Sequence, residues 1–133
     1  MTEKPTAELL DELSAKIQDG WEDTDEDRRM FFEGMYHLQL GEVEEAAKVF
    51  RRATRRCEPP FDMMARMAHG RCEATRGHQG AALRIFEEVA GSDETPPRLR
   101  RLAWMEVGDL AAKRGDEALE QRARDAIEQL ADQ

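Results

Sequence analysis

A chain of 133 residues is one ordinary domain, long enough to bury a core without disulfides or metals and too short for a multidomain enzyme. Hydrophobic residues make up 40% and charged residues 37%, but aromatics only 6%, a balance that favours alanine- and charge-rich helices over sheets. The formal charge of −9 opposes a general attraction to nucleic acid or to anionic membrane, so neither is expected as a partner.

The first element in chain order is acidic. Residues 1–27 hold ten acids against Lys4 and Lys16, a net of −8 that leaves −1 for the rest. Thr6 can cap a leading helix over 7–18, with Leu9, Leu10, Leu13 and Ile17 on one side. The start has no basic region followed by an apolar stretch, and no run in the chain is long enough to span a bilayer, so neither secretion nor membrane insertion is expected. Cys57 and Cys72 form no Cys-x-x-Cys and no disulfide framework, which makes a reducing cytoplasm the expected location. The run from Asp19 to Arg29 has six acids but lacks the turn glycine and twelfth-position Glu of a calcium loop. It reads as a solvated connection, in which Trp21 anchors the leading helix to the body of the domain.

From residue 27 the chain repeats itself. Glycines recur at a spacing of seven as Gly34 and Gly41, Gly70 and Gly77, Gly108 and Gly115, with a period of 36 and then 38 residues. Overlaying the first two units puts Ala46 on Ala82, Ala47 on Leu83, Val49 on Ile85, Phe50 on Phe86 and Ala53 on Val89, one apolar helical stripe in each. Each unit is therefore a helical hairpin. The first glycine admits a close helix partner and the second ends the first helix in a left-handed cap. The expected helices are 25–40 and 42–56, 60–76 and 79–90, 96–114 and 116–130, with Thr95 as N-cap of the fifth ahead of Pro96 and Pro97.

These residues resemble the tetratricopeptide repeat family, whose hairpin carries a small residue, Gly, Ala, an aromatic and Ala at set offsets. Gly34, Gly41, Ala46, Phe50 and Ala53 match all five in the first unit, and Gly70, Gly77, Ala82 and Phe86 match four in the second. The third keeps Gly108, Gly115 and Trp104 but has Glu120 and Arg124 where Ala and an aromatic are expected, as a capping unit with a polar outer face would. The resemblance implies an all-α solenoid of three hairpins, units 27–60, 61–96 and 97–131, packed as one domain behind the acidic segment 1–26. It also implies a concave groove lined by the first helices: Arg28, Phe31, Met35 and Gln39; Met64, Met67, Arg71 and Thr75; Leu102, Met105, Asp109 and Lys113. Six of the seven methionines lie on these first helices, and methionine suits a surface that accommodates varied apolar partners. Family members that clamp a chaperone's C-terminal carboxylate use Lys and Asn at two positions occupied here by Phe31 and Met35, so apolar recognition is expected instead.

Other chemistry is thin. Glu33 and His37, with His69 and Glu73, pair at i and i+4 on neighbouring helices and are sufficient in kind as metal ligands, but the reading as simple Glu–His contacts is favoured. His78 reads as a polar turn residue. Arg51, Arg52, Arg55 and Arg56 make a basic patch, of which Arg51 and Arg52 overlay on Glu87 and Glu88, as though stacked second helices faced each other with opposite charge. No nucleophile, base and orienter set and no phosphate loop appears, so a non-enzyme without cofactors is expected. The expected function is a cytoplasmic bacterial adaptor or scaffold that binds an apolar segment of another protein. The alternatives are self-association as a homo-oligomer and a small chaperone resembling those that carry type III secretion translocators.

Overall fold

The structure is a computed structural model that describes residues 26–131; the leading helix expected over 7–18, its Thr6 cap and Trp21 lie outside the described residues. Among the described residues there are six helices and no strand: α1 Glu26–Gln39, α2 Val43–Arg56, α3 Phe61–Thr75, α4 Gln79–Gly91, α5 Pro97–Arg114 and α6 Glu117–Ala131. Each helix packs on the next, and α1 also reaches α3.

The core lies at the junctions between hairpins as much as within them. One cluster joins Ala46, Ala47, Phe50 and Ala53 of α2 to Ala65, Ala68 and Cys72 of α3, with Phe31 and Met35 of α1 packed against it. The other joins Met67 of α3 and Ala82, Phe86 and Val89 of α4 to Ala103, Val107 and Leu110 of α5 and Ala123 of α6. No hairpin buries its stripe alone.

The paired glycines do two jobs. Gly41, Gly77 and Gly115 have φ of +77°, +85° and +72°, the left-handed conformation that ends a helix without a Cβ clash. The amide of the residue after each one bonds back five positions, Glu42 to the His37 carbonyl at 2.9 Å, His78 to Glu73 at 2.8 Å and Asp116 to Ala111 at 2.9 Å. This Schellman closure turns α1 into α2, α3 into α4 and α5 into α6 by the same geometry. Gly34 and Gly70 instead serve as seats for rings: a Cβ on Gly70 would lie 2.7 Å from Phe86 Cε1, and one on Gly34 would collide with Phe50.

The third hairpin departs. A Cβ on Gly108 would meet Ala123 Cβ at an ordinary 3.5 Å, so the seat is empty of an aromatic. Ala123 rather than Arg124 faces α5, and α6 is rotated about 100° from the phase that the repeat alignment gives it.

Two expectations are corrected. Thr95 does not cap α5: Pro96 holds the N-cap position without a side-chain cap bond, and Thr95 is 2% exposed with its Oγ1 bonded to nothing among the described residues. The pair of prolines carries the chain past the point where Thr95 would reach the first turn. Glu88 pairs not with the second-helix arginines but with Arg66 of α3, at 2.8 Å, because each helix packs on its chain neighbour and α2 lacks a comparable contact with α4.

Candidate functional site

The first helices of the three hairpins share one cavity of about 450 Å³. Its walls are Phe31, Met35 and Leu38 of α1, Met64, Met67, Ala68, Arg71, Cys72 and Thr75 of α3, and Leu99, Leu102 and Glu106 of α5. The floor is buried, with Cys72 at 1%, Met67 at 8% and Ala68 at 9% exposure, whereas Leu102 stands 46% exposed at the lip. Arg71 Nε and Glu106 Oε1 face each other across the α3–α5 side at 4.0 Å.

Seven of the twelve residues expected in a groove line this cavity together: Phe31, Met35, Met64, Met67, Arg71, Thr75 and Leu102. Five do not. Arg28 lies over the Phe61 ring, 6.0 Å from its centroid, and Gln39 and Lys113 are exposed near the C-termini of α1 and α5. Met105 and Asp109 line a separate depression of about 240 Å³ between α5 and α6, where Gly108 and Ala123 leave room that a ring fills in the other hairpins. The cavity turns toward Leu99, Leu102 and Glu106, spaced i, i+3 and i+7, so the face of α5 that lines it is displaced from the one set by the repeat alignment. The signal for Leu99 was its leucine spacing to Leu102 in a stretch otherwise rich in arginine. Met67, expected as a groove residue, lines the cavity as part of the buried core.

The four metal candidates divide among other duties. His37 Nδ1 bonds Glu42 Oε1 at 2.8 Å, and Glu33 is exposed. His69 Nε2 lies 3.5 Å from Glu73 Oε1, whose carboxylate also holds Arg76 Nη1 at 2.9 Å and His78 Nδ1 at 2.7 Å. His78 is therefore a partner of a buried acid rather than a bare turn residue. Among the described residues no group of three His, Cys, Asp or Glu is arranged to hold a metal ion. The two closures mirror each other: His37 and Glu42 in the first hairpin become Glu73 and His78 in the second, at positions 36 residues apart. They occupy the ends of the Schellman closure, where a hydrophobic contact is usual.

Electrostatics tie this cluster to pH. Burial pushes the Glu73 carboxyl up, but the His78 hydrogen bond and the charges of Arg76 and His69 together outweigh it and hold it below the usual range. Burial, helped by Arg51 and Arg76 and opposed by Glu73, keeps the His69 imidazole below its usual value. A depressed histidine is protonated first in the unfolded chain, so its contribution is lost as pH falls below about 6.5. A depressed carboxylate adds a second loss below about pH 4.5. The melting temperature should fall between about pH 7.5 and 5.5, and His69→Gln should flatten that segment while leaving the lower one. A thermal melt series whose upper limb is the same with and without His69 would show that another group titrates there. Cys72, in the groove floor, has its thiol pushed up to about 11 by burial and by the Glu73 charge, against the pull of Arg76, so it is a protonated packing residue at neutral pH. Both cysteines are buried, and Cys72 is a free thiol.

No family model matches the chain, and no curated protein or solved structure gives a significant match. No helix among the described residues is long and apolar enough to cross a membrane.

Proposed function

We propose that the three hairpins form a tetratricopeptide-like solenoid that works as a binding module, receiving an apolar peptide or helix of another protein in the cavity between α1, α3 and α5. The observation that carries this reading is the lining itself: nine of its twelve side chains are apolar or sulfur-bearing, drawn from three successive first helices, with Leu102 left 46% exposed at the lip. A large apolar cavity with a few polar groups is the ordinary form of a binding site. The groups with reactive chemistry are otherwise engaged, Cys72 as a protonated core thiol and Glu73 as the centre of an ion-pair cluster, which favours an adaptor over an enzyme.

Panning a displayed library of random peptides against the full chain tests the proposal. Selected peptides should carry apolar residues at helical spacing, and Leu102→Glu should weaken them by at least about 100-fold, as expected when an interface anchor is lost. The substitution lies at an exposed position and should shift stability by no more than about 0.5 kcal/mol. Selected peptides that bind Leu102→Glu unchanged would place recognition elsewhere.

A further inference from the structure

The cavity lining changes character along its helices. On α5 the apolar residues Leu99 and Leu102 come first and Glu106 follows one turn later, all on one stripe. On α3 the lining begins with Met64, Met67 and Ala68 and ends with Arg71, the buried Cys72 and Thr75. Leu38 and Thr75 bring the last turns of α1 and α3 to the same cavity, and the carbonyl ends of helices carry partial negative charge.

Glu106 is the one acid in this lining, and it is poorly served. Its side chain is 32% exposed, and its ion-pair partner among the described residues is Arg71, whose Nε lies 4.0 Å away, beyond hydrogen-bond reach. The Arg71 side chain is 70% exposed, so a pair held this loosely adds little to stability, and its cation is able to turn to water. Thr75 does not supply the missing donor, since its hydroxyl is given to the Arg71 carbonyl at 2.9 Å. Glu106 therefore depends on solvent.

A helix whose apolar ridge covers Leu102, 46% exposed, also covers Glu106, which lies one turn, about 6 Å, further along the same stripe. An apolar residue brought to that point strips the carboxylate of water and gives it no donor, which costs affinity. A lysine or arginine brought there replaces the lost hydration with a charge-assisted hydrogen bond. The formal charge of −9 on the chain attracts cationic segments in the same direction.

We infer that the groove selects an amphipathic helix bearing a lysine or arginine one turn from its apolar anchor, and that Glu106 is the residue that reads the cation. The inference rests on the groove being the binding site and names the class of segment it takes. Selection works by exclusion as well as by attraction. A uniformly apolar helix, which would suit Leu99 and Leu102 equally well, is refused at Glu106.

The test pans the displayed peptide library on the full-length chain and on its Glu106→Lys variant, and then measures individual synthetic peptides by fluorescence polarisation. Peptides from the unaltered chain should carry Lys or Arg three or four residues from the apolar anchor, and those from Glu106→Lys should carry Asp or Glu there instead. Replacing that cation by methionine in the tightest peptide should weaken it by about tenfold against the unaltered chain, as expected for a close charge pair. The same replacement should cost almost nothing against Glu106→Gln, which keeps the shape of the side chain and carries the test if Glu106→Lys does not fold. Arg71→Gln, at an exposed site, should leave the affinity of the cationic peptide unchanged or raise it. Selections without a favoured charge at that spacing, a cation preference that survives Glu106→Lys, or additive effects of the methionine and glutamine changes would overturn the inference, the second by tracing the preference to the overall charge of the chain. An acid favoured in place of the cation, and lost with Arg71→Gln, would overturn it by giving the position to Arg71. Peptides that still need Leu102 in any of these cases would leave the binding module standing without this selectivity, whereas a library that yields no peptide dependent on Leu102 would sink both.

Discussion

Gly70→Leu should destabilise the protein by more than about 2 kcal/mol, whereas Gly108→Ala should be neutral or stabilising by up to about 1 kcal/mol. The two glycines hold equivalent places in the repeat, so helix propensity treats them alike and the difference isolates what faces them. At Gly70 the first added carbon already sits 2.7 Å from the Phe86 ring, which is wholly buried and walled in by Val89, Ala103 and Val107. The ring has nowhere to retreat, and leucine adds three further carbons. At Gly108 the nearest atom is the Ala123 methyl carbon at 3.5 Å, so a methyl group fills space that is otherwise empty. Urea denaturation of the two variants beside the unaltered chain measures both numbers. A Gly70→Leu midpoint unchanged from the parent would mean that the glycine spacing does not mark ring seats.

Met67→Glu and Met105→Glu should separate just as widely. Met67 is 8% exposed and packs among Ala82, Phe86 and Val89, where a carboxylate would lose its water without gaining a partner, at a cost of about 3 kcal/mol or more. Met105 is 48% exposed, and its change should stay within about 0.5 kcal/mol. Both methionines were expected from the repeat alignment to be groove anchors of one kind. The structure makes Met67 the floor and turns Met105 toward the depression beside α6, so a charge in the groove is better introduced at Leu102. Equal denaturation midpoints for Met67→Glu and Met105→Glu would contradict this division.

The features legible in the sequence were those set by local chemistry. Helix ends fall within a residue of expectation because a left-handed glycine closes α1, α3 and α5 and prolines precede α3 and α5, and such signals act without reference to the rest of the fold. The close helix approach at the first glycine was legible in the first two hairpins, but that a phenylalanine ring sixteen residues on, Phe50 for Gly34 and Phe86 for Gly70, fills the space was seen only in the structure. The phase of α6 was not. With alanine in place of a ring, nothing local fixes which side of that helix faces α5, and packing settles on Ala123 and Leu130. The lining face of α5 was missed for a related reason, since an alignment anchored on Gly108 and Gly115 fixes positions along the helix but not how it turns against α3. The Glu73 cluster was half legible. The i, i+4 spacing from His69 to Glu73 shows in the sequence, but the bond from His78 depends on a closure that brings residues five apart together.

The mirrored closures bear on how such a chain can change in evolution. Repeats of similar length invite unequal recombination, which deletes or adds a unit by joining two copies at matching points. A crossover within the Gly41 and Gly77 turns would set His37 against His78, or Glu73 against Glu42, so that each junction brought together two groups of one kind. A crossover between hairpins keeps each histidine with its own glutamate. The exchanged pair therefore makes the intact hairpin, rather than the single helix, the unit whose exchange keeps each of these two closures with its own histidine–glutamate bond.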